Sequence, residues 1–460
     1  MSSQRPPGEG LRARDVSPLS ARAHARFSSS VQYVRQSDVI ASLSYALDLT
    51  EGQPPGHTLR SCAIGMRLGE ELGLPVEQKS ALYYALLLKD AGCSTNSSAL
   101  SKHFESDDQR IKKNHKITDW TRTAQGAYYV WRSVGQDQDW LQRLPLFLRI
   151  AFGKEFNTHD LIRVRCERGA GIAARLGFPE ETADAIRALD EHWNGAGQPN
   201  GLTAQSIPLL GRIAGLAQTV EVFVGVHGLE SALEMLRRRS GRWFDPELAR
   251  RVRSWRNDVP WWKRLYGPEL NQMIQSLEPA DRVRTLNEHA LDQIAEAFAE
   301  IIDAKSPYTF RHSTTVAYHS RAIARAFGMS SHEVRRIYRA ALLHDIGKLG
   351  ISNLILDKPS SLSRAERAQI QRHPEFTWDI LKRVSAFEEF AWTASLHHER
   401  LDGSGYPWKV KKDKLDQSAR IIAVADVYEA LTAARPYRPG LSPSAAMGVL
   451  HRDSGTVLDA

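Results

Sequence analysis

The chain has 460 residues and a mass of 51.6 kDa, long enough for two large domains or roughly three smaller ones, each with its own core. Hydrophobic residues make up 42% and charged residues 25%, an ordinary globular balance that excludes wholesale disorder. A net charge of +8, from 61 basic and 53 acidic residues, is too thin on this length to argue for a nucleic-acid partner.

No apolar run approaches the roughly 20 residues that span a bilayer, and the N-terminus lacks the apolar core of a signal peptide. The sequence therefore points away from membranes and export. Cys62, Cys93 and Cys166 are too scattered for a disulfide framework or a thiolate zinc site, and this cysteine usage fits a reducing cytoplasm.

Residues 1–36, rich in Ser, Arg, Pro and Gly, read as a flexible tail. From Ser37 the spacing of Val39, Ile40, Leu43, Ala46 and Leu47 is that of a helix with one buried face. Helical periodicity continues, and nothing of any length alternates with period two. The expectation is an all-α fold.

An internal repeat organises the chain. Gly56–Cys93 lies on Arg311–Lys348 without a gap, placing His57 on His312 and Asp90-Ala91-Gly92 on Asp345-Ile346-Gly347. Asn194–Pro199 lies on Asp402–Pro407, Ile213–Val222 on Ile421–Ala430, and Ser240-Gly241 with Asp245 on Ser454-Gly455 with Asp459. The expected organisation is a first helical domain at 37–260, a connecting helix at 261–305 and a second domain at 306–460. In the connector, Leu286, Ala290, Ile294, Ala297, Phe298, Ile301 and Ile302 suggest one long amphipathic helix. It would either join two chains in a homodimer or pack on its own domain. The Arg-rich stretch Arg237–Arg256, with Trp243 and Trp255, could bind a nucleotide or nucleic acid, but reads rather as a solvated helix face or an inter-domain contact.

The copies differ where chemistry would sit. His344 is Lys89 in the first copy, His397 and His398 are Leu189 and Asp190, and Asp426 is Gln218. In the second copy an apolar helix, Ala340–Leu343, ends in His344-Asp345, and Asp426 follows the apolar run Ile421–Ala425. Burying such carboxylates is costly without a compensating cation. Several imidazoles with two carboxylates suit Fe, Mn, Zn or Ni better than Mg or Ca. Two ions about 3.5–4 Å apart could share one Asp and clamp a phosphoester. Lys348, one turn on, is placed to neutralise phosphate charge.

His344-Asp345 followed by His397-His398-Glu399-Arg400-Leu401-Asp402-Gly403-Ser404-Gly405-Tyr406-Pro407 resembles the HD-GYP family of HD metal-dependent phosphohydrolases. The resemblance runs from about Tyr308 to Asp459 and includes Tyr308-Thr309, Ile355-Leu356, Lys358-Pro359, His373-Pro374 and Arg435-Pro436-Tyr437-Arg438. It implies hydrolysis of cyclic di-GMP to pGpG or GMP with two divalent ions, Fe or Mn. The implied ligands are His312, His344, Asp345, His373, His397, His398 and Asp426, with Asp345 bridging. Lys348 is implied at the scissile phosphate, and Arg435, Arg438 and Tyr406 on the substrate.

Tyr308 stands where relatives with a third metal carry Glu, so two ions are expected. Thr377 replaces a usual glycine, which would shift its helix slightly. The loop Trp408–Leu415 is lysine-rich and lacks the usual glycines, and the helix Pro246–Val252 of the first copy has no counterpart before Ala460. The first copy is expected to be a degenerate regulatory, ligand-sensing or dimerising domain. The rival expectations are a non-catalytic scaffold that binds a cyclic dinucleotide or a signalling protein, and a phosphohydrolase of another nucleotide.

Overall fold

The structure, a computed structural model, describes residues 34–136, 138–152, 158–434 and 439–459. Helices and short 3-10 turns follow one another throughout, and no strand occurs among the described residues beyond isolated bridges. The all-α expectation holds. The tail expected at 1–36 lies mostly outside the described residues, but Val34–Gln36 join the fold. Leu286 N–H donates to Val34 O (2.8 Å), Gln36 N–H donates to Arg284 O (2.8 Å), and Gln36 opens the helix Gln36–Thr50.

The repeat is written into the geometry. His57–Glu71 and His312–Ala326 both start after a left-handed residue, Gly56 at φ 85° and Arg311 at φ 59°. Each start is held by a buried Asp ten positions before the second residue of the helix. Asp48 accepts from Thr58 N (2.9 Å) and Oγ1 (2.7 Å), and Asp303 accepts from Ser313 N (3.1 Å) and Oγ (2.7 Å). Burial leaves the Asp303 carboxyl raised to about 6. Next come Val76–Leu88 and Ser331–Leu343, the latter opened by a reciprocal Ser330–Glu333 cap.

The packing extends the repeat beyond what the sequence revealed. A Cβ on Gly92 would lie 1.9 Å from Arg165 O, and one on Gly347 would lie 1.9 Å from His373 O. Both turns therefore need glycine for the same close helix approach, and Arg165 is the first copy's counterpart of His373. Arg212–Asp245 (2.7 Å) likewise repeats as Arg420–Asp459 (2.9 Å).

One buried apolar cluster runs from Val39 to Ala425, so the two copies share a core rather than hang on a tether. Trp261–Lys305 is not one helix. It forms the end of Val259–Leu265, then Leu270–Leu277 and Glu288–Asp303, because Gly267-Pro268 and Pro279 interrupt it. Ile294, Ala297, Phe298, Ile301 and Ile302 are buried within the chain, so the face proposed for homodimerisation is already filled.

Leu209–His227 is, by length and composition, apolar enough to cross a bilayer, contrary to the expectation that no apolar run is long enough. Its residues Leu210, Ile213, Leu216, Ala217 and Val220 are core of this chain, packed against His57–Glu71. In the Arg-rich stretch, Arg237 and Arg238 pair with Glu234, Arg256 pairs with Glu230, and Arg239 lies 4.0 Å over the Trp243 ring. These arginines have local partners.

Candidate metal centre

Four helix ends bring the second copy's imidazoles to one point. His344 ends Ser331–Leu343, His397 follows Glu388–Ser395, and His373 and His312 open His373–Leu381 and His312–Ala326. Three of them share one device: Nδ1 is held by the carbonyl three residues back. His344 meets Ala341 O at 2.6 Å, His373 meets Ile370 O at 2.7 Å, and His397 meets Ala394 O at 2.9 Å. That bond fixes the ring and aims Nε2 inward.

Asp345 stands at the centre with its two oxygens facing opposite groups. Oδ2 lies 3.3 Å from His312 Nε2 and 3.3 Å from His344 Nε2; Oδ1 lies 3.3 Å from His373 Nε2 and 3.6 Å from His397 Nε2. Asp426 joins the first group, with Oδ1 3.3 Å from His312 Nε2. His312, His344 and Asp426 form one set of donors close enough to share an ion, and His373, His397 and His398 form another.

The donor chemistry fits divalent ions. His344 Nε2 and Asp345 Oδ1 are buried without a hydrogen-bond partner, a costly arrangement unless a cation completes it. Burial keeps His373, His397 and His398 below the usual imidazole range, His397 at about 4, so they are neutral donors. Burial opposes charge on the two carboxylates, yet Lys348 and the imidazoles around Asp345, and His312 beside Asp426, hold both well below the usual range. Neutral imidazoles with ionised carboxylates are what metal ligation requires. On His312 burial also works against charge, but Asp345, Asp426 and Glu429 override it and raise the imidazole.

Lys348 Nζ lies 2.5 Å from Asp345 Oδ2. Lys348 and His398 are 21% and 27% exposed while the deeper donors are nearly closed off, so they mark the mouth of the site. The Tyr406 ring lies 4.7 Å from that of His398. Nine of the expected residues thus converge, and Arg435 and Arg438 lie outside the described residues.

Two roles were not read from the sequence. Glu429 holds His312 Nδ1 at 2.5 Å, doing by a carboxylate what backbone carbonyls do for the other rings. The repeat carried the signal, since Glu221 occupies the same register and holds His57. Glu429→Gln is expected to weaken metal binding about 10–100-fold, measured by Mn(II) titration. The second is Thr377. Its hydroxyl donates to His344 O (2.8 Å) and accepts from Gly347 N–H (3.1 Å), tying its helix to the His-Asp turn.

In the first copy, fixed cations occupy the corresponding place. Lys89 contacts Asp90 and lies 3.1 Å from His57 Nε2, and Arg165 pairs with Asp190. Glu51, Asp90 and Cys93 lie close enough to suggest another metal group. Lys116 already bridges those carboxylates, at 2.7 Å from Glu51 and 3.3 Å from Asp90, and burial pushes the Cys93 thiol up, keeping it neutral. Ammonium groups stand in for metal there.

An all-helical fold that arranges two donor sets around a shared His-Asp carboxylate defines a metal-dependent phosphohydrolase of the HD type. The HD domain family model matches residues 156–248 and 296–460, and the chain belongs to that family. It is 41% identical over 423 residues, 92% of each chain, to 3'3'-cGAMP-specific phosphodiesterase 3 of Vibrio cholerae. A crystal structure of the cyclic GMP-AMP specific phosphodiesterase V-cGAP3 of V. cholerae superposes with a TM-score of 0.63 at 37% identity, covering 93% of this chain and 95% of that one. A shorter match, 40% over 139 residues (30% of this chain, 37% of the relative), is to the cyclic di-GMP phosphodiesterase response regulator RpfG of Xanthomonas campestris.

Proposed function

We propose that the chain, a cyclic dinucleotide phosphodiesterase of the HD-GYP branch, acts on 3'3'-cGAMP through a two-metal centre in its second copy. The observation that carries this reading is Asp345, which presents one carboxylate oxygen to each of two donor sets. His312, His344 and Asp426 would hold one ion, His373, His397 and His398 the other, and Asp345 would bridge them. Bound divalent ions supply Lewis acidity and a nucleophile at neutral pH. The mouth residues do the rest: the Lys348 ammonium meets the scissile phosphate and stabilises charge developing on its oxygens, and Tyr406 borders the substrate beside His398. Arg435 and Arg438 are assigned to the phosphates on the sequence motif alone, and residues 37–260 are assigned a regulatory role.

The extent of similarity supports this substrate. One relative specific for 3'3'-cGAMP is matched over both copies, whereas two others of that specificity and the cyclic di-GMP enzyme RpfG are matched over 30–35% of this chain. Cyclic di-GMP is the second reading, favoured by the Gly-Tyr-Pro motif. Anaerobic protein loaded with Fe(II) or Mn(II) should linearise 3'3'-cGAMP at least about tenfold faster than cyclic di-GMP, a difference a few base contacts can supply. The reverse preference would establish the second reading. Tight binding without product would return the scaffold.

A further inference from the structure

The helix Asp108–Ile117 belongs to a stretch that only the first copy has: Cys93 to Arg165 spans 72 positions where Lys348 to His373 spans 25. Its C-terminal half closes the first copy's own centre through Lys112 and Lys116. Its N-terminal end points the other way, into the second copy. Asp108 Oδ1 accepts the backbone N–H of Asn353 at 2.8 Å, and Gln109 Nε2 donates to Leu349 O at 3.3 Å. Asp108 Oδ2 lies 3.4 Å from Lys305 Nζ and 3.6 Å from Lys112 Nζ. Asn353 Nδ2 completes the ring by donating to Lys305 O (2.8 Å) and Asp357 Oδ2 (2.7 Å).

Asp108, Lys305 and Asn353 are at most 1% exposed, and a Cβ on Gly350 would touch Leu49 of the first copy at 3.4 Å. Burial favours the neutral acid, but Lys305 and Lys112 hold the Asp108 carboxyl below its usual range. A buried network of hydrogen bonds and ion pairs admits few arrangements, even with Asn353 Oδ1 lacking a partner. The turn between Lys348 and Asn353 is thus tied near both ends, at Leu349 O and Asn353 N–H, to side chains of the other copy.

We propose that Asp108 and Gln109 are positioning residues of the second copy's site, which fix the turn that carries Lys348. This inference rests on the reading that Lys348 meets the scissile phosphate. The first copy then forms part of the mould in which the reaction occurs. A displacement of about 1 Å at a reacting group costs about 100-fold in rate. A looser tether at Leu349 and Asn353 therefore falls on turnover more than on substrate binding.

The test uses the full chain loaded with Mn(II) and compares Asp108→Ala, Asp108→Asn, Gln109→Ala and Asp107→Ala. Asp107 caps the same helix by accepting from Gln109 N–H (3.0 Å) and serves as the control. Asp108→Ala should lower kcat about tenfold or more, with KM within about twofold and metal content intact. Amide exchange over 347–353 should quicken with it. Asp108→Asn, which keeps an acceptor for Asn353 N–H, should recover part of the loss, and Gln109→Ala should show a smaller loss of the same kind.

Unchanged kcat and exchange in Asp108→Ala would overturn the inference. So would a loss that tracks metal content, or one that Asp107→Ala reproduces. Should Asp108→Ala fail to fold, Gln109→Ala decides by the same readouts. If the wild-type protein hydrolyses no cyclic dinucleotide, the functional reading fails, while amide exchange still decides whether Asp108 fixes the turn.

Discussion

Asp345→Ala should lose both metal ions and lower turnover by about 1,000-fold or more. Asp345 is the carboxylate whose oxygens face both donor sets. Without it, His373, His397 and His398 would offer a divalent ion three neutral imidazoles and no negative charge. Bringing a doubly charged ion into a buried, uncharged site is strongly unfavourable. His312, His344 and Asp426 would keep one carboxylate but lose the oxygen 3.3 Å from both rings. The fold should survive, because Lys348, the cation paired with Asp345, is 21% exposed and can turn to water. Elemental analysis and product chromatography on the same sample provide the check. Retention of two ions together with turnover would remove the bridging carboxylate from the account.

Lys116→Met should destabilise the protein by about 3–5 kcal/mol at neutral pH, the cost of leaving buried carboxylates without their cation. Burial pushes the Glu51 carboxyl up, and Lys116 followed by Lys112 pulls it down to about 2. The sign follows from that depression. A folded-state value below the unfolded one of about 4.3 contributes stability that is present above that value and lost as pH falls towards 2. In Lys116→Met the pull weakens, burial dominates, and this contribution disappears or reverses. The gap between the two proteins should therefore be widest near pH 7 and narrow towards pH 3. Urea unfolding at both pH values measures it, and equal stability at pH 7 would mean the ammonium is not the substitute for metal in the first copy.

Much of this protein is legible in its sequence because the relevant signals are local or periodic. Helical spacing, the glycine after each Asp-Ala or Asp-Ile pair, and the His-Asp and Gly-Tyr-Pro motifs are carried by neighbouring residues. An exact offset between copies then reveals the repeat. The seven residues assigned as metal ligands are those the resemblance carried by these motifs implies. Glu429 could not be named from its surroundings, since a second acid three residues after Asp426 in the helix Gln417–Thr432 reads as an ordinary salt-bridge partner. Only its register with Glu221 hints at more.

The connecting segment departs from the expected single helix for a different reason. The strong amphipathic face of Glu288–Asp303 does not extend back across Gly267-Pro268 and Pro279, which end helices whatever the periodicity around them.

By itself, the sequence determined an all-helical chain of two copies, and which copy keeps the donors for metal. Tertiary structure alone decided which buried charges face each other. Arg165 takes the place of His373 across an insertion that hides the alignment, Lys116 sits between Glu51 and Asp90, and Asp108 reaches across 245 positions to the Asn353 amide. The physical reason is that a helix records its own buried face in its spacing, whereas the partner of a buried charge is chosen by how distant helices pack.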